Sequence, residues 1–255
     1  MDAVTVTATP RIHGTGRPEE DWRRSPWLQA VPSMRAEAWL DGVRRLVVVS
    51  PHPDDEVLGC GGLIHTARSL RIEVRIVSVT DGEACYPDSR RWSRERLRRT
   101  RRAELVAALD CLDVPPDCID PLDVGDGNVH ACEAALTASL HDMLQAGDRV
   151  LTTWRSDGHP DHEATARAVE QAARARGAAT HQFPVWAWHW MSAGKREPDF
   201  ASALRLCLGT GARSAKRRAL DCFGSQLDSG DADVAAILPA AVRARFERGY
   251  EVVLP

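Results

Sequence analysis

No apolar run in the 255 residues approaches the roughly 18 that a membrane-spanning helix needs. The first 30 residues are polar and carry prolines, so they offer no signal-peptide core. Excess charge is missing too. A net charge of -3 gives no electrostatic reason to expect nucleic acid or an anionic membrane as partner. There is no CxxC and no zinc-finger spacing. The seven cysteines (Cys60, Cys85, Cys111, Cys118, Cys132, Cys207 and Cys222) are odd in number and scattered. They read as buried reduced thiols, which points to the cytoplasm. No internal repeat or long low-complexity tract occurs. The "GCGG" at 59–62 lacks the GxGxxG spacing, and no acid follows a second strand at the expected distance. Both absences argue against a nucleotide-binding Rossmann module without catalysis.

What is present is an alternation of strand and helix patterns in a chain long enough for one large α/β domain or two small ones. Residues 1–14 read as a loose terminus, and "RPEEDW" as the start of a short helix near Pro18. From residue 44 the pattern is regular. "RLVVVS" predicts a strand at 45–50, "DEVLGCGGLIHTARSL" a helix at 55–70 and "IEVRIVSVT" a second strand at 72–80. A loop over 81–88 leads to a long helix at 94–112. "CIDPLDV" then predicts a strand, "GDGN" a turn, 130–144 a helix and "DRVLTTW" a strand. Residues 163–177 read as a helix stopped by Gly177, 180–190 as a strand, 212–227 as a helix and 250–255 as a last strand. The expected fold is a Rossmann-like, three-layer α/β domain over 44–255 with a mainly parallel sheet. Residues 1–43 form an extension packed on it.

Such sheets place their sites beyond the carboxyl ends of the strands. Two charged clusters, "PHPDDE" and "GHPDH", follow directly after predicted strands, about 107 residues apart. In the first, Pro53 stiffens the turn, and His52 and Asp55 at i, i+3 can converge on one point. Three adjacent acids repel unless a cation or a helix N-terminus neutralises them. The second holds Asp157, His159, Asp161 and His162. Two histidines and one carboxylate with an open position are the ligand set of a catalytic zinc. On chemistry alone His52, Asp55 and His162 are the ligands, and Asp54, left beside the metal, is the general base. Each cluster taken singly also reads as something plainer, a capped helix start for "HPDDE" and a polar turn for "GHPDH".

These residues resemble the PIG-L/LmbE-like zinc deacetylases, whose hallmarks are "HPDDE" after the first strand and a later "HxDH". Here they stand as His52-Pro53-Asp54-Asp55-Glu56 and His159-Pro160-Asp161-His162, and the likeness runs over roughly 44 to 230. Weaker signals agree: "TDGE" at 80–83, "RRAEL" at 101–105, "GDGN" at 125–128 and "SQ" at 225–226. The resemblance implies Zn²⁺ on His52, Asp55 and His162, with Asp54 as base. His159 would stabilise the oxyanion or pass a proton to the leaving amine, and Asp161 would orient and tune His159. Arg101 and Asp126 would hold sugar hydroxyls. Where some relatives place a mobile tyrosine, this chain has Asp157. The implied activity is removal of an N-acetyl or N-acyl group from an amino sugar or glycosylated small molecule. The alternatives are a thiol-conjugate amidase of the same fold and a non-catalytic metal- or nucleotide-binding module.

Two further features have structural readings. The eight arginines over 90–102 read as a solvated helix face with Arg101 turned inward. "WAWHW" places Trp186, Trp188 and Trp190 on one face of the expected strand, for core packing or for stacking on a sugar.

Overall fold

The structure is a computed structural model, which describes residues 14–255; the loose terminus expected over 1–14 lies outside them but for Gly14. The chain opens with short elements: α1 (Glu19–Arg23), α2 (Pro26–Ala30), β1 (Ser33–Arg35) and α3 (Ala36–Trp39). The alternating part follows as β2 (Arg45–Ser50), α4 (Asp55–Ser69), β3 (Glu73–Ser78), α5 (Arg94–Asp110), β4 (Ile119–Pro121), α6 (Glu133–Met143), β5 (Arg149–Thr153), α7 (Pro160–Arg176) and β6 (Ala179–Phe183). Then come α8 (Ala187–Trp190), β7 (Leu204–Cys207), α9 (Thr210–Asp221), α10 (Gly224–Leu227), α11 (Ala240–Arg243) and β8 (Tyr250–Val253). No helix among the described residues is long and apolar enough to cross a membrane.

The main sheet has five strands in the order β4-β3-β2-β5-β6, all parallel. Its centre, β2, is buried from Leu46 to Ser50, and its side chains alternate between two cores. Leu46 and Val48 join the layer of α4, α5 and α9, whereas Val47 and Val49 join that of α6 and α7. The chain adds strands on one side of β2 and then, from β5, on the other. The order therefore reverses between β2 and β5, and a crevice opens at the carboxyl ends of these two strands.

A second sheet, β1-β7-β8, had no clear sequence signal beyond its last strand. β7 is parallel to β1 and antiparallel to β8. The expected strand at 180–190 is also corrected. It ends at Phe183, and the chain turns at Pro184 into the short helix α8. The tryptophans therefore do not share a face: Trp188 packs edge-on against Trp22, Trp190 stacks on Trp154, and Trp186 borders a cavity.

α4 is broken at Cys60, whose φ of -145° is not helical. Gly62 N–H and Leu63 N–H, freed by the break, donate to the Glu251 carboxylate at 2.7 and 2.9 Å. Lys216 Nζ donates both to Leu58 O (2.8 Å) and to Glu251 Oε1 (2.6 Å). A buried ion pair thus replaces the missing turn of backbone bonds. The break lets α4 lie against the sheet: a Cβ at Gly59 would sit 2.0 Å from the Phe183 ring.

Candidate metal centre

Both clusters stand at the crevice, the first between β2 and α4 and the second between β5 and α7. Asp54 is the N-cap of α4, with a φ of 131° that non-glycine residues rarely adopt. Holding it costs about 1–3 kcal/mol, a kind of strain that concentrates at functional sites. Asp55 opens α4, His159 caps α7, and Asp161 and His162 occupy its first turn.

His52 Nδ1, Asp55 Oδ2 and His162 Nε2 form a triangle with sides of 3.2, 3.3 and 3.3 Å. The protons on the two imidazoles follow from their other contacts. His162 Nδ1 lies 2.9 Å from Asp157 Oδ2, and a carboxylate can only accept, so Nδ1 carries the proton. His52 Nε2 faces Asp126 Oδ1 at 3.1 Å and Asp161 Oδ2 at 3.4 Å, which places its proton there. With both imidazoles neutral, as a metal ligand must be, three lone pairs converge with no proton between them. A tetrahedral ion with bonds of about 2.0–2.1 Å separates its ligands by about 3.3–3.4 Å, so the triangle fits a divalent cation.

The surrounding charges point the same way. Burial would depress the His162 pKa, but Asp55 and Asp157 outweigh it and raise it to about 9. His52 is likewise raised against burial, by Asp126, Asp161 and Asp55. The pocket is built to hold positive charge. His52, His159 and Asp161 form a second group with metal-ligand potential, but His159 is only partly buried and its Nδ1 already accepts from Asp161 N–H at 3.2 Å.

Asp54 is buried beside this triangle. Burial pushes its carboxyl up to about 7, against the opposing pull of Arg101. Arg101 is the inward-turned member of the arginine-rich helix face. Its Nη2 donates to Asp54 at 3.1 Å and to Pro53 O at 2.6 Å, and its Nη1 to Gly82 O at 2.9 Å. Asp126 also accepts from Ala84 N–H at 2.7 Å, which fixes it behind His52.

Asp161 meets His159 through its backbone N–H and through its charge, and its carboxylate makes its hydrogen bonds elsewhere. Its carboxylate accepts from Gly127 N–H at 2.7 Å and Val129 N–H at 3.2 Å and reaches His52, because the loop before α6 folds over the start of α7.

Asp157 is the residue whose part the sequence did not reveal. It is fully buried and accepts from the N–H groups of Val185, Trp186 and Ala187 at 3.0, 2.8 and 2.9 Å as well as from His162. These bonds also turn the chain out of β6 into α8. The available signal was a second carboxylate in "RSDGHPDH", but its backbone partners lie nearly thirty residues further on.

The triangle opens on a cavity of about 400 Å³, which Asp54, Arg101, Asp126 and His159 also line. A family model described as "PIG-L: GlcNAc-PI de-N-acetylase" matches residues 47–173, which hold every residue of the triangle. The chain carries a PIG-L family domain. Among curated relatives, a 1D-myo-inositol 2-acetamido-2-deoxy-alpha-D-glucopyranoside deacetylase of Nocardia farcinica is 27% identical, over 76% of each chain. A protein of the same name from Mycobacterium sp. strain KMS is 31% identical, over 63% of this chain and 59% of its own length. Among solved structures, the zinc-inhibited form of teicoplanin deacetylase Orf2 aligns with a TM-score of 0.65 at 19% identity, covering 83% of this chain and 97% of that one. A40926 pseudoaglycone deacetylase Dbv21 aligns at 0.63 and 24% identity, with 83% and 96% covered. GalB, a 4-carboxy-2-hydroxymuconate hydratase from Pseudomonas putida, aligns at 0.55 and 19% identity, with 72% and 80% covered. The PIG-L fold is therefore shared by a hydratase, and the reaction has to be argued from the site.

Proposed function

We propose that this protein is a zinc-dependent hydrolase that removes an N-acetyl or N-acyl group from an amino sugar or glycosylated small molecule. The observation that carries this reading is the triangle of two imidazole nitrogens and one carboxylate oxygen with the buried carboxylate of Asp54 beside it. His52, Asp55 and His162 would hold the ion. When bound there, zinc supplies Lewis acidity, polarising an acyl carbonyl and acidifying a coordinated water. Asp54 accepts the proton of the attacking water, as a base whose pKa lies near neutrality. His159, with Nδ1 engaged by Asp161 N–H, keeps its proton on Nε2 and donates it as a hydrogen bond to the acyl oxygen as charge develops there. Asp126 and Asp161 fix the tautomer of His52, and Asp157 that of His162. Arg101 and Asp126, on the cavity wall, would hold sugar hydroxyls. The names of the curated relatives support a substrate built on N-acetylglucosamine.

Residues 44–255 would act as one catalytic domain, with the preceding segment anchored to it through Trp22, whose Nε1 donates to Trp188 O. The seven free thiols favour the cytoplasm. Elemental analysis for zinc, together with acetate release from N-acetylglucosaminides, tests the reading. A protein that stays metal-free in zinc-replete buffer, or that releases no acid from any N-acyl amino sugar, would refute it.

A further inference from the structure

The cavity has two kinds of lining: Asp126, Arg101 and His159 are polar, and Leu58, Val185, Trp186, Val242 and Phe246 are apolar. Arg245 lines the cavity as well. It is only 2% exposed, and its contacts are neutral: Nη1 lies 3.3 Å from His189 Nδ1, Nη2 donates to Thr15 O, and the buried Nε has no partner. Three cationic side chains of Arg or Lys are buried among the described residues. Arg101 pairs with Asp54 and Lys216 with Glu251. No carboxylate pairs with Arg245 among the described residues; the acid that bears on it, Glu19, is bound to Arg248 at 2.7 Å. Burial and then Arg248 pull the Arg245 guanidinium down to about 10. A buried cation without a counterion is costly, and a ligand's anion can remove that cost.

We propose that the compound hydrolysed at this centre carries a carboxylate, which Arg245 receives at the cavity wall. The inference rests on the N-deacylase reading above. A carboxylate suits the site better than a phosphate. It brings one charge to a guanidinium already donating to two neutral acceptors, and the apolar walls have nothing to offer the further charge of a phosphate. The carboxylate has two possible sources, the far end of the acyl group or the aglycone.

Two matched pairs distinguish these sources on the zinc-loaded full chain. One pair is the 5-carboxypentyl and hexyl glycosides of N-acetylglucosamine, and the other is N-succinyl- and N-butanoyl-glucosamine. In the wild type, kcat/KM is expected to favour the acidic member of one pair by about 10- to 100-fold, the range of a charge-assisted hydrogen bond. In Arg245→Met that ratio should fall to near one, and Arg245→Lys should hold an intermediate value. Turnover of the neutral members with no acid preference in either pair overturns the inference and leaves the deacylase reading standing, as does a preference that survives Arg245→Met. If none of the four compounds is hydrolysed, the deacylase reading fails instead. The carboxylate site is then decided by tryptophan fluorescence titrations with hexanoate, hexan-1-ol and hexylamine. Hexanoate binding tightest in wild type and losing its advantage in Arg245→Met supports the site; equal binding of the three overturns it. Should the methionine variant not fold, the order of the three probes on wild type and on Arg245→Lys decides.

Discussion

Replacing Asp157 with asparagine changes the size of the side chain little and turns one acceptor into a donor. Oδ1 of Asp157 accepts from Val185 and Ala187, and a carbonyl oxygen in its place can keep both bonds. Oδ2 accepts from Trp186 N–H and His162 Nδ1–H, and an amide nitrogen there meets two donors. The Trp186 N–H is left buried without a partner, at a cost of about 1–3 kcal/mol. For a domain of this size that lowers Tm by roughly 2–12 °C. His162 can relieve its own conflict by moving its proton to Nε2, the atom that faces His52 and Asp55. Metal then has to displace that proton, and affinity should drop about 10- to 100-fold. Zinc competition against a chromophoric chelator measures the affinity, and thermal melts in excess chelator separate it from the loss of stability. Wild-type zinc affinity in Asp157→Asn would show either that His162 is not a ligand or that Asp157 does not set its tautomer.

Asp54→Asn keeps the three ligand atoms and removes the base, so bound zinc should persist while kcat falls about 10²- to 10⁴-fold; near-normal turnover would exclude Asp54 as the base. Gly59→Ala should destabilise by about 1–3 kcal/mol, because its Cβ would overlap the Phe183 ring. Gly61→Ala should cost less, since its tightest contact is Val57 Cγ1 at 3.2 Å, and equal urea midpoints for the two variants would contradict the packing of α4 on β6. His181 packs edge-on to Trp39, and burial with the Arg149 charge lowers its pKa to about 4. The unfolded chain takes up the proton near 6.5, so the contribution is complete above that pH and is lost as pH falls from about 6.5 to 4, at up to about 1.4 kcal/mol per pH unit. His181→Gln should flatten urea stability against pH in that window, and parallel curves for variant and wild type would rule this titration out.

The parallel sheet and the edge that carries the site could be read from the chain because their signals are local. β-branched runs such as Val47 to Val49 mark buried strands, and the two histidine–aspartate clusters stand directly at strand ends. What escaped depends on distant partners. Trp186, Trp188 and Trp190 alternate like strand residues, but Asp157 captures the N–H groups of Val185, Trp186 and Ala187 and turns the chain away. Asp161 lies two residues from His159, yet the N–H groups of Gly127 and Val129 draw its carboxylate towards His52. β1 is three exposed residues with no alternation, so only its pairing with β7 makes it a strand. Cys60 sits in a helical pattern, and its break is stable only because Glu251 and Lys216 supply the missing partners.

That last arrangement bears on the order in which the molecule is made. The "HPDDE" segment leaves the ribosome early, whereas the acceptor for Gly62 N–H lies 189 residues further along the chain. Until Glu251 and Lys216 arrive, the helix bearing Asp54 and Asp55 has unmet backbone groups at its break and no reason to keep the native bend. A nascent chain therefore exposes His52, Asp54 and Asp55 long before it can hold them in register, and a metal held by the proposed ligands His52, Asp55 and His162 would load only in the final stage of folding.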